Sequence, residues 1–195
     1  MSDESVRAAL RTDAPLVVVE APGGCGKTHQ GADYAREIAS GESKGRLLIL
    51  THTNAACSVF AERTAALGSR VEIRTNDSLI AAVAGAYHAG LGLPADVAGW
   101  VRTQKKEGHA QVAQKVAQLL GKYPMIAAGL ARRYPTVICD EHQDSSADQH
   151  AIAMALHGQG SLLRIFGDPM QKIFLDKPFV GSAPGWTWAG LSGSA

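Results

Sequence analysis

Residues 21–28 read APGGCGKT, with three glycines within four positions, followed by a lysine and a threonine. The run before them, LVVVE, is β-branched and apolar, and the stretch after them is helix-forming. Glycines at a strand-to-helix turn let the backbone curl until successive N–H groups converge on one point, which suits phosphate oxygens. Lys27 would reach the β- and γ-phosphates, and the Thr28 hydroxyl would ligate Mg²⁺. The candidate nucleotide-binding stretch is therefore Ala21, Pro22, Gly23, Gly24, Cys25, Gly26, Lys27, Thr28 and His29. Its spacing is that of a P-loop in which alanine replaces the first glycine.

Four further stretches carry chemistry. In VICDEHQD (137–144), Asp140 ends an apolar run and Glu141 follows it directly. Adjacent carboxylates at a strand end are costly unless a cation lies between them. Asp140 would hold Mg²⁺, and Glu141 would orient or deprotonate an attacking water. In IFGDPMQKIF (165–174), Gly167, Asp168 and Gln171 follow another apolar run. A glutamine placed there can hydrogen-bond a terminal phosphate or the attacking water. In LILTHTNAACSVFAER (48–63) and RTNDSL (74–79), Thr51, Thr53, Asn54, Thr75 and Ser78 offer small hydroxyl and amide groups. Such groups suit a phosphodiester backbone, and they suit helix capping equally well.

The elements that must position these residues alternate. LVVVE (16–20), RLLILT (46–51), VEIRT (71–75), TVICD (136–140) and LLRIF (162–166) read as buried strands. Helical stretches lie between them at roughly 27–40, 54–67, 77–90 and 146–157. Strand–helix alternation predicts an α/β fold with a parallel sheet covered on both faces. Ligands of such sheets sit at the carboxyl ends of the strands, where all five stretches fall.

The chain has 195 residues, 46% of them hydrophobic and with a net charge of +1. That suits one domain with a real core and supplies no strong global field. Cys25, Cys57 and Cys139 are odd in number and form no CxxC pair, so free thiols in a reducing, cytoplasmic compartment are expected. No run has the apolar length of a membrane span, and the polar start MSDESVRAALRTD is unlike a secretory signal. Residues 85–133 read as a small helical insertion, rich in Arg102, Lys105, Lys106, Lys115, Lys122, Arg132 and Arg133 against Asp96 and Glu107.

Taken together, APGGCGKT, LTHTNAA, RTNDSL, DEHQD and GDPMQKIF resemble, in order and spacing, the motifs of superfamily 1 DNA helicases of the UvrD/Rep group. The resemblance spans most of residues 16–174. It implies a RecA-like P-loop NTPase domain, the first of two motor domains, that uses ATP and Mg²⁺ and moves on single-stranded DNA, in repair or in defence against foreign DNA. It assigns Lys27 and Thr28 to phosphates and Mg²⁺, Asp140 to Mg²⁺, and Glu141 to the catalytic base. Gln143 matches a nucleotide-linked glutamine, and Gln171 the coupler of γ-phosphate to DNA. Thr51, Thr53, Asn54, Thr75 and Ser78 would face the strand, and Phe174 would lie near the stacked bases. The insertion matches the place of a DNA-contacting subdomain, with Trp100 and Tyr123 as candidate base contacts.

Relatives usually carry an adenine-reading glutamine before the P-loop, and residues 1–20 contain none. Nothing after Phe174 resembles the second motor domain, so the expected reading is half of a motor, inactive or weak alone, whose second RecA-like domain lies elsewhere. The other reading kept open is an ATP-switched DNA- or protein-binding module without translocation. A small P-loop kinase has no use for the DEHQD and GDPMQ pair.

Overall fold

A computed structural model describes residues 3–41, 45–171 and 183–192. Among them the strands are β1 (Leu16–Glu20), β2 (Leu47–Thr51), β3 (Val71–Thr75), β4 (Thr136–Cys139) and β5 (Leu162–Gly167). The helices are α1 (Asp3–Leu10), α2 (Lys27–Ser40), α3 (Asn54–Thr64), α4 (Asn76–Ala86), α5 (Val97–Lys122), α6 (Pro124–Arg133), α7 (Ala147–His157) and α8 (Trp188–Ser192). Every strand pairing is parallel, in the order β1-β5-β4-β2-β3. The fold is α/β with a parallel sheet, as the alternation predicts, and it is consistent with the RecA-like domain that the resemblance implies.

Side chains leave a strand on alternate faces, so a strand buried on both reads as a continuous apolar run. Leu48, Leu50, Val137, Cys139, Leu163 and Ile165 point to one face, where they meet α4, α5, α6 and α7. Leu47, Ile49, Ile138, Phe166, Val17 and Val19 point to the other, against α1, α2 and α3. Arg164 is the exception inside β5. It is fully buried and donates to Leu10 O, Thr12 O, Ala14 O and Leu163 O. It thereby ties the link between α1 and β1 to β5.

Register aligns the strand ends. Glu20 lies beside Gly167, Cys139 beside Ile165, and Thr51 beside Thr75. The candidate residues that follow these ends are thus gathered along one edge of the sheet. The insertion is helical, as expected: residues 97–133 hold α5 and α6. Its apolar positions Val101, Val112, Val116, Leu120 and Ala127 join the core rather than forming a separate body. Among the described residues no helix is long and apolar enough to cross a membrane.

Candidate nucleotide site and strand-facing loops

The glycine-rich turn leaves β1 and enters α2. Gly24 and Gly26 sit at φ 78° and 77°, a left-handed conformation that glycine adopts without steric cost. Gly26 caps α2 with no side-chain bond, so the first amides of the helix stay open to an anion. Lys27 is buried and donates to Ala21 O at 2.8 Å and Pro22 O at 3.3 Å. Its Nζ is 3.8 Å from Glu141 Oε1.

Thr28 Oγ1 donates to Asp140 Oδ2 at 3.2 Å. The other oxygen, Asp140 Oδ1, is buried and has no hydrogen-bond partner. Burial pushes the Asp140 carboxyl up to about 6; the Glu141 charge adds to that, and Thr28 and Lys27 oppose it. A buried carboxylate oxygen without a donor, beside a threonine hydroxyl, fits a hard divalent cation. Among the described residues no group of three or more His, Cys, Asp or Glu could hold a metal. Mg²⁺ suits such a sparse set, because it keeps most of its waters and takes one or two protein oxygens.

Glu141 is the one described non-glycine residue at positive φ, 51°. Such backbone costs energy and persists only where its surroundings enforce it. Gln143 donates to Glu141 Oε2 at 2.6 Å, and its own Oε1 accepts from Asp168 N at 3.0 Å. Asp168 Oδ2 accepts from Gly23 N at 2.9 Å, and its Oδ1 from Met170 N at 3.0 Å. Gln143 and Asp168 thus brace the carboxylate loop, the loop after β5 and the glycine-rich turn against one another. Gln171 lies over Gly23, so close that a Cβ there would overlap its amide.

A cavity of about 260 Å³ opens between these parts, lined by Gly24, Gly26, Lys27, Thr28, His29, Glu141 and Arg63. Arg63 donates to His29 Nδ1 at 2.6 Å. Sequence reasoning did not single out Arg63, although it ends the stretch LILTHTNAACSVFAER (48–63) near the end of α3. Asp168 was visible beside Gln171, but its bracing role needs the fold.

The strand-facing candidates cluster at the ends of β2 and β3. Thr53 Oγ1 accepts from Ala56 N and Thr75 Oγ1 from Ser78 N, so both are helix caps. Asn54 opens α3, and Ser78 Oγ donates to Thr75 O. Thr51 is buried and spends its hydroxyl on Thr53 O, so its part is to hold the loop. Phe174 lies outside the described residues. The basic residues of the insertion are partly committed: Lys115 donates to Leu91 O, and Arg133 pairs with Glu72. Trp100 packs against the core, and Lys122 lies over the exposed ring of Tyr123. Trp186 and Trp188, the later aromatics, pack as well: Trp186 donates to Ser145 O and Trp188 to Glu20.

Residues 99–175 match the UvrD/REP helicase N-terminal domain family. The match covers part of the chain and supports a UvrD/Rep-like superfamily 1 helicase N-terminal domain. The matched stretch holds Asp140, Glu141, Gln143, Asp168 and Gln171. The glycine-rich turn lies outside that stretch and stands on its own geometry. A comparison with curated proteins gave no match.

Proposed function

We propose that this domain is the ATP-binding motor lobe of a UvrD/Rep-like DNA helicase or translocase, coupling Mg–ATP hydrolysis to movement on single-stranded DNA. The observation that carries it is the meeting of Thr28 with Asp140, whose second oxygen is buried without a partner, beside Lys27 and Glu141. The bound Mg–ATP supplies the transferable phosphoryl group and a metal to spread its charge.

Thr28 and Asp140 would hold Mg²⁺. Lys27 would exchange the carbonyls of Ala21 and Pro22 for β- and γ-phosphate oxygens. Glu141, held by Gln143, would take the proton of the attacking water. Gln171, resting on the glycine-rich turn, would report the γ-phosphate to the loops carrying Thr53, Asn54, Thr75 and Ser78, with Thr51 beneath them and Phe174 beyond. The phosphate cavity is open, and the Glu141 side chain is 37% exposed. A second RecA-like lobe, from the same polypeptide or another subunit, would close it and exclude water. The three free cysteines support a reducing, cytoplasmic setting.

The test is ATP binding and hydrolysis by the purified chain, with and without single-stranded DNA, beside Lys27→Ala and Glu141→Gln. Magnesium-dependent binding lost in Lys27→Ala, with any turnover lost in Glu141→Gln, is expected. Absence of nucleotide binding overturns the reading. Nucleotide-switched DNA binding with no turnover, even when a second lobe is supplied, leaves a switch in place of a motor.

A further inference from the structure

Behind Glu141 runs a buried polar chain that the nucleotide chemistry does not use. His142 is 2% exposed. Its Nε2 lies 3.0 Å from His150 Nδ1, and its Nδ1 lies 3.1 Å from Ser145 Oγ. Ser145 Oγ is 3.2 Å from His52 Nε2, which is also 3.2 Å from Asn76 Nδ2. Trp186 covers one side. It stacks on His150 at 4.6 Å between centroids and 14° between planes, and its Nε1 donates to Ser145 O at 3.2 Å. The chain joins three segments. His142 and Ser145 belong to the loop that carries Glu141. His52 sits between Thr51 and Thr53, and Asn76 directly follows Thr75.

The bonds have one direction. An amide nitrogen only donates, so the Asn76 Nδ2 contact requires a bare His52 Nε2 and a proton on its Nδ1. Ser145 has one hydroxyl proton. Were it not aimed at His52, two sets of lone pairs would face each other at 3.2 Å in a part-buried site, an uncompensated polar contact. Ser145 Oγ therefore donates to His52 and accepts from His142 Nδ1–H. A neutral His142 protonated on Nδ1 has a bare Nε2, and His150 Nδ1–H donates to it. The order is His150 to His142 to Ser145 to His52, with Asn76 closing the far end.

His142 is thereby tethered at both ring nitrogens, next to the strained backbone of Glu141. Displacing His52 breaks the bond that fixes the Ser145 rotor, and with it one of the two tethers of His142. We infer that Ser145 is a positioning residue that ties the strand-facing loops to the Glu141 loop, so that occupancy of one site biases the other. This rests on the function proposed above. By linkage the bias is reciprocal, so binding alone can read it.

Two measurements on the full chain test it. In ring-¹⁵N spectra without ligand, His52 and His142 should both be the Nδ1–H tautomer; an Nε2–H proton on His52 overturns the inference. The second is the affinity for a short oligothymidylate with and without Mg–ADP or a non-hydrolysable Mg–ATP analogue. The wild type should show a nucleotide-dependent shift of about 5-fold or more, falling below ~2-fold in Ser145→Ala and in His52→Phe. Each ligand's affinity measured alone should change by less than about 2-fold in these variants. His52→Gln should restore the shift, because its Oε1 can accept from both Ser145 and Asn76. Coupling that survives in Ser145→Ala and His52→Phe overturns the inference and leaves the motor reading intact, as does a wild type that binds both ligands without a shift. A wild type that binds neither ligand overturns the motor reading, and the coupling with it.

Discussion

Thr28, in the first turn of α2, donates its hydroxyl to Asp140, at the end of β4 and 112 residues away in the chain. The bond fixes one carboxylate oxygen and leaves the other buried without a partner. Burial raises this carboxyl from 3.8 to about 6. A folded-state pKa above the unfolded one means that the folded chain binds the proton more tightly. The group therefore favours folding when protonated and costs stability as pH rises from about 4 through about 6. Asp140→Asn removes that cost. The melting temperature of the variant should gain on the wild type across this window, and the gain should level off above it. Mg²⁺ at pH 7 should raise the wild-type melting temperature and leave the variant unmoved. Parallel melting curves with and without Mg²⁺ would remove Asp140 from the metal site.

Gly23 has Gln171 resting on it, and any Cβ at that position overlaps the Gln171 amide. The obstructed atoms are the far end of a flexible side chain, so Gly23→Ala should cost little stability, under about 1 kcal/mol. It should push Gln171 away from the glycine-rich turn. Expected is a nearly unchanged urea midpoint, together with a reduced preference for a non-hydrolysable ATP analogue over ADP. An unaltered ATP-to-ADP affinity ratio would separate Gln171 from phosphate sensing.

Arg63 meets His29 at 2.6 Å on the wall of the cavity beside the glycine-rich turn. Charge-assisted bonds contribute roughly 1.5–3 kcal/mol, so Arg63→Ala should weaken nucleotide binding by roughly 10–100-fold. Calorimetric titration with ADP and with a non-hydrolysable ATP analogue reads it. Equal losses place Arg63 on the part common to both, and a larger loss for the ATP analogue places it on the γ-phosphate. Undiminished affinity for both would leave Arg63 a mere partner of His29.

Arg63 also marks where reading the sequence stops. The strands were legible because burial on both faces leaves unbroken runs such as LLILT, and the carboxyl-end rule then placed Lys27, Asp140, Glu141 and Gln171 together. A turn such as GGCGKT carries its chemistry in adjacent residues. Arg63 carries its chemistry only through the packing of α3 beside α2, a relation between distant positions that no local spacing encodes. The same holds for Asp168, whose carboxylate finds Gly23 across 145 residues. Thr53 and Thr75 were legible as polar groups at strand ends. Capping and strand contact ask for the same hydroxyl, and only the fold shows that each oxygen already accepts from its own helix.

Arg164 is buried in the middle of β5, where an apolar residue would be expected. Its guanidinium spends its donors on the carbonyls of Leu10, Thr12, Ala14 and Leu163 and lies 5.6 Å from the Tyr34 ring centroid. Leu10 ends α1, and Thr12 and Ala14 lie in the turn that joins it to β1, the strand that leads into the glycine-rich turn. A carbonyl buried without a donor costs about 1–3 kcal/mol. Arg164→Met keeps the volume and orphans them together, so a loss of roughly 3–5 kcal/mol is expected in urea unfolding. The damage should begin at that turn. Limited proteolysis of the variant should cut between residues 10 and 15 before any other site, while the wild type resists there. A loss below about 1 kcal/mol would mean that water satisfies these carbonyls and that the turn does not depend on Arg164.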